Sequence, residues 1–92
     1  MTKYIIFLDN EMKGYLDSEA SAKRAVSDLA DKLIEEAKVS PASHELRITR
    51  ENFESGIRIY SQALSAYYFH GAVTLCHTIT WKPILAYKLE DN

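Results

Sequence analysis

Ninety-two residues, 47% of them apolar and 26% charged, point to a single domain spanning 1–92 with the composition of an ordinary globular chain. Eleven Lys and Arg against thirteen Asp and Glu leave a formal net charge of −2. That balance excludes a disordered acidic tail and a protein that holds DNA by a broad basic field. Cys76 is the only cysteine, so no intrachain disulfide can form. A secreted domain this small would usually be stapled, and a reducing cytoplasm is therefore the expected setting. The apolar run Tyr4–Leu8 is too short for a signal peptide's hydrophobic region or a membrane span.

Residues 3–9, Lys-Tyr-Ile-Ile-Phe-Leu-Asp, are β-branched and aromatic without alternation, the pattern of a central strand covered on both faces. A turn is expected over Asn10–Gly14, with Tyr15 and Leu16 returning beside the first strand. Apolar residues then fall at Ala22, Ala25, Val26, Leu29, Ala30, Leu33, Ile34 and Ala37, one face of a helix. Asp17 or Ser18 can cap its start, and Glu19 places negative charge in its first turn. Ser40-Pro41 ends it, because a residue before proline avoids helical ψ. Pro41–Ser43 reads as a loop and Glu45–Thr49, with Leu46 and Ile48 on one side, as a short strand.

Residues 50–70 carry two competing patterns. A helix would align Phe53, Ile57, Tyr60, Leu64 and Tyr67 on one stripe, capped by Thr49 and stopped at Gly71. A strand over Gly56–Phe69 would fold back through His70-Gly71, pairing Tyr68 with Val73, Leu64 with His77 and Tyr60 with Trp81. The helix is favoured, since a strand of that length is unusual. The stretch from Phe53 to Tyr67 is also similar to the second helix of a tetratricopeptide repeat, a likeness that implies a helix there and nothing more; one copy makes no solenoid. Residues 72–81 alternate, with Val73, Leu75, His77, Ile79 and Trp81 on one face and Thr74, Cys76, Thr78 and Thr80 on the other. Lys82-Pro83 interrupts, Leu85, Tyr87 and Leu89 resume the parity, and Glu90–Asn92 is expected to fray. Assembled, these elements predict a two-layer α+β fold of order β(β)αβαββ. Two amphipathic helices would cover one face of a small mixed or antiparallel sheet of about four strands. Its threonine-lined reverse would stay open.

Chemistry-bearing clusters are sparse. Cys76 and His77 are adjacent, and on a regular strand they point to opposite faces, which argues against a shared metal ion. The chain has no G-x-S-x-G elbow, and nothing in the pattern joins His44, Cys76 and an acid. Gly14, Gly56 and Gly71 are too scattered to form a phosphate loop. No cofactor is expected, and catalysis is not expected. Tyr60 and Tyr67 read as core residues with hydroxyls at its rim, while others of the six tyrosines suit a contact surface. An RNA platform would need aromatic side chains on the exposed strand parity, where threonines stand instead.

The leading expectation is a protein-interaction module that occupies a surface of a larger protein or ribonucleoprotein complex. Its expected contacts are Thr74, Thr78, Thr80 and Lys82, flanked by Lys23 and Arg24. In size and in lacking catalytic motifs the chain is similar to small phage-encoded inhibitors of host defence complexes, the anti-CRISPR proteins among them. That likeness implies steric blockade in a host cytoplasm. The alternative is a nucleic-acid-associated regulator that contacts phosphates through Arg47, Arg50 and Arg58. Self-association through a strand edge or the threonine face is a further expectation.

Overall fold

The β-branched and aromatic run at the start of the chain forms strand β1, Thr2–Leu8. The chain then reverses at once. Asp9 and Asn10 sit at φ 51° and 70°, the left-handed pair that a two-residue type I′ hairpin requires and that these two residue types tolerate. Leu8 therefore opposes Glu11, and strand β2 runs over Glu11–Leu16, so the reversal is tighter than the turn expected over Asn10–Gly14. A register shift between Ile6 and Phe7 bulges β2 near Gly14. The computed structural model describes residues 2–39, 46–63 and 73–85.

Helix α1 spans Glu19–Lys38. Ser18 caps it: its backbone is extended, and its hydroxyl accepts the Ser21 N–H at 3.1 Å. Ala22, Val26 and Ala30, one turn apart, are the buried residues of the helix. Their small side chains let the helix axis approach the sheet closely, and Leu29, Leu33 and Ile34 spread to either side.

The stretch favoured as a second helix is instead a β-hairpin. Strand β3 covers Leu46–Phe53 and strand β4 covers Gly56–Ala63, with Phe53 opposite Gly56 across the Glu54-Ser55 turn. Ile57 and Ile59 are buried while Arg58 and Tyr60 alternate with them, a period of two that overrode the helical spacing of Phe53, Ile57 and Tyr60. The likeness to a tetratricopeptide helix is overturned with it. The strand alternative had the right element and the wrong register, for Tyr60 opposes Leu75 rather than Trp81.

Strand β5, Val73–Leu85, is the longest at 13 residues. It pairs with β1 from Leu8↔Ile79 to Thr2↔Leu85, and with β4 from Gly56↔Thr80 to Gln62↔Val73. The sheet order is β2-β1-β5-β4-β3, antiparallel at every pairing. Lys82-Pro83 was expected to interrupt this strand, yet it runs through. The Trp81 N–H points to the β4 side, where it donates to the Ser55 carbonyl at 2.9 Å. Two residues on, the Pro83 nitrogen faces that same side beyond the start of β4, where no ladder bond is lost.

Among the described residues the fold is thus α+β, one helix on a five-stranded antiparallel sheet, in place of the predicted two helices and about four strands. Ile6, Ile57, Ile59 and Ile79 meet Ala22, Val26 and Ala30 in the core, and Ile79 is fully buried. The predicted stop at Ser40-Pro41, the loop to Ser43, Leu64, Tyr67, Tyr68, the turn at His70-Gly71 and the resumption at Tyr87 and Leu89 lie outside the described residues.

Gly56 is needed for close approach. A Cβ built there runs into the Ile79 carbonyl oxygen and meets the Phe53 ring and Thr80 Cα at 3.0 Å. Gly56→Ala should therefore destabilise the protein by about 1–3 kcal/mol, read as a fall in the urea midpoint at unchanged slope.

Candidate interaction face

With the helix on one side, the residues of opposite parity stand on a sheet face that no described element covers. Cross-strand partners share a face, so the ladder maps this surface row by row. One row crosses all five strands as Met12, Phe7, Thr80, Gly56 and Phe53. Beside it lie Tyr15, Ile5 and Lys82 on one flank and Thr78, Arg58 and Glu51 on the other. Beyond the latter come Leu75, Tyr60 and Thr49.

This face carries exposed apolar side chains on β2 and at the two ends of β5, with Thr78, Thr80 and Lys82 between them. Met12 is 64% exposed, Tyr15 61% and Leu75 50%, and Ile84 opposite Lys3 adds a further exposed apolar side chain. Lys3 bonds Asp17 and lies 4.9 Å from the centre of the Tyr15 ring. The Asp17 hydrogen bond holds the Lys3 ammonium pKa above its ordinary value. Arg58 donates to Glu51 at 3.0 Å and stacks 4.0 Å over the Phe53 ring. Lys3 and Arg58 are thus paired with carboxylates, while Lys82 and Arg47 on the same face make no ion pair among the described residues.

The structure divides the six residues expected at the contact. Thr78, Thr80 and Lys82 stand together on the open face. Thr74 does not join them. The register shifts between Ile59 and Tyr60: Ile59 opposes His77 while Tyr60 opposes Leu75, which makes Cys76 the extra residue of a bulge. Past it the alternation of β5 inverts, so Thr74 opposes Ser61 on the helix side and Leu75 turns outward. Lys23 and Arg24 also belong to the helix layer; Lys23 pairs with Glu19 at 3.1 Å and lies 5.9 Å from the centre of the Trp81 ring. Residues not anticipated on the open face include Ile5, Phe7, Met12, Tyr15, Phe53, Arg58 and Tyr60, and the four aromatic rings among them overturn the expectation that this face carries threonines in place of aromatic side chains. The unbroken apolarity of residues 4–8 was the available signal, since such a strand is apolar on both sides whether or not both are covered.

The three arginines of the phosphate-binding alternative do not form one patch. Arg50 turns to the helix side, where it donates to Asp31 at 2.7 Å and to Ser27 at 3.3 Å. Arg58 is held by Glu51 on the open face, and Arg47 is exposed on the outer strand.

The bulge also corrects the placement of Cys76 and His77. Both line one hollow of about 250 Å³ on the helix side, with Leu33, Ala37, Ile48, Ile59 and Ser61, although adjacent residues of a regular strand would diverge. The Cys76 thiol donates to Ser61 Oγ at 3.2 Å, and His77 Nδ1 donates to Asp9 Oδ2 at 2.7 Å. Asp9 Oδ1 accepts the Thr78 N–H at 2.8 Å, which fixes the hairpin tip against β5. Among the described residues, no group of three or more His, Cys, Asp or Glu side chains is arranged to hold a metal ion. No described helix is long and apolar enough to cross a membrane. No protein-family model, no curated protein and no solved structure matches the chain.

Partial burial works to raise the Asp9 carboxyl pKa, but the His77 hydrogen bond and the Thr78 N–H outweigh it, and the net direction is downward from 3.8. A carboxyl depressed in the folded state stabilises the fold above its unfolded pKa and loses that contribution as the pH falls through its folded value. Asp9→Asn keeps a residue suited to the left-handed turn and removes the titration. Urea midpoints should place the wild type above this variant at pH 7 and bring the two together below about pH 4.

Proposed function

We propose that the protein is a non-catalytic interaction module whose open sheet face docks on a larger protein or ribonucleoprotein complex and blocks it sterically. Phage-encoded inhibitors of host defence complexes act in this manner, and the proposed setting is a host cytoplasm. The observation that carries the reading is the set of exposed apolar side chains on that face, Met12, Tyr15, Leu75 and Ile84. A soluble monomer seldom leaves such a surface bare without a use for it. Five strands about 4.8 Å apart and about seven residues long outline roughly 550 Å² before side-chain relief, within reach of the roughly 800 Å² that a standard interface takes from each partner.

Paired rim charges also favour a protein surface over a phosphate backbone. A phosphate-binding face would present mainly unpaired cations, whereas two of the four here, Arg58 and Lys3, are each held by a carboxylate and only Lys82 and Arg47 make no ion pair among the described residues. Thr78 and Thr80 supply hydroxyls that can donate or accept at the centre of the patch, and Lys82 supplies one charge at its edge.

The test is phage challenge of bacteria that carry an active CRISPR interference complex, repeated over complexes of different types. Expression of the chain should restore plaque formation against at least one of them. Thr78→Glu with Lys82→Glu on the open face should reduce that rescue by about tenfold or more, while Lys23→Glu with Arg24→Glu on the helix layer should leave it intact. No rescue against any complex, or equal rescue by both pairs of variants, overturns the reading.

A further inference from the structure

The two edges of the sheet differ in kind. Strand β2 is six residues long and is bulged beside Gly14, and both features blunt an edge against further pairing. Strand β3 has neither feature. Its eight residues pair with β4 from Leu46↔Ala63 to Phe53↔Gly56 without a register shift, so its backbone is regular over its whole length. No described strand pairs with its outer side. A regular, unpaired edge is a template for another strand.

The side chains along β3 specify which strand fits. In an antiparallel pairing of β3 with itself about a two-fold axis through Thr49, Arg47 of one copy lies directly opposite Glu51 of the other. The symmetry makes that contact twice. Thr49 meets Thr49 on the axis, and Ile48 meets Arg50 on the helix side. Cross-strand pairs of opposite charge and threonine–threonine pairs are among the favourable ones. Arg47 and Glu51 are both exposed and on the same face, and Arg58 already holds the Glu51 carboxylate in place at 3.0 Å. Arg50 is drawn back to Asp31 and Ser27, which leaves its aliphatic stem beside the edge rather than its charge.

We infer that β3 is a homodimerisation edge. Two copies pair through it antiparallel and in the register that sets Arg47 against Glu51, forming one continuous ten-stranded sheet. The two-fold axis stands perpendicular to the sheet, so both helices fall on one side and the two open faces merge on the other. The inference stands on the edge alone and does not depend on what the open face binds.

The register makes a charge-swap experiment decisive. Sedimentation equilibrium of the wild-type chain from about 1 µM to about 1 mM should show a monomer–dimer equilibrium, since a single strand pairing lies at the weak end of specific interfaces. Arg47→Glu alone sets carboxylate against carboxylate at both symmetric contacts, and Glu51→Arg alone sets guanidinium against guanidinium at both. Each variant should dimerise about tenfold or more weakly than the wild type. An equimolar mixture of the two variants restores opposite charges in the heterodimer: the two introduced side chains face each other at one contact. The two native side chains that remain, Arg47 of one variant and Glu51 of the other, face each other at the second. The mixture should therefore form a heterodimer of near wild-type affinity. Circular dichroism of each variant confirms that it is folded before it is weighed. A monomeric wild type over the whole range, dimers indifferent to the single swaps, or no recovery in the mixture overturns the inference.

Discussion

Everything in this molecule depends on β5 finding two neighbours that come from different parts of the chain. Its N-terminal portion takes β4, the strand that precedes it, and its C-terminal portion takes β1 from the other end of the sequence. The two ladders overlap around Ile79 and Thr80, and there the packing is tightest: Ile79 is fully buried under the helix, and Gly56 lets β4 lie against its carbonyl. The helix then has one continuous surface of isoleucines to close upon, with Ala22, Val26 and Ala30 at the centre of the contact and Ala25, Leu29, Leu33 and Ile34 packed around them.

The one described helix lies on one side of the five described strands, and no described element covers the other. An antiparallel sheet tolerates a wet face because hairpins do not force helices onto both of its sides. The wet face here is unusual in carrying Phe7, Met12, Tyr15 and Leu75 among its threonines. Two of its cations are tied up locally, Lys3 with Asp17 and Arg58 with Glu51. The result is a surface that offers apolar area and keeps two cations, Lys82 and Arg47, outside any ion pair among the described residues.

Much of this was legible in the residues. The helix over Glu19–Lys38 announced itself through its stripe and its Ser18 cap, and β1 through its run of β-branched residues. The hairpin of β3 and β4 was hidden because Phe53, Ile57 and Tyr60 satisfy a helical spacing by coincidence, while the opposing evidence, Ile57 alternating with Ile59 after a Glu54-Ser55-Gly56 turn, is short. Pairing energy from two neighbouring strands decided between patterns that local propensity could not separate. The threonine face was half legible. Thr78, Thr80 and Lys82 share it as the alternation implies, but a bulge leaves no mark in a sequence, and the inversion at Cys76 carried Thr74 to the other side. The wrong layer for Lys23 and Arg24 has a simpler cause, since a strand's outer face and a helix's outer face are on opposite sides of a two-layer molecule.

The pairing of Thr2 with Leu85 has a bearing on how the protein is made. The β1–β2 hairpin leaves the ribosome ahead of β5, and one flank of its apolar inner strand must wait for β5 to be synthesised before its permanent neighbour arrives. Contacts of such sequence separation form late and slowly, so the nascent hairpin is the stretch with most opportunity to misassociate. Sequestration by a chaperone during translation, or slow synthesis at low temperature, would shelter it until β5 emerges.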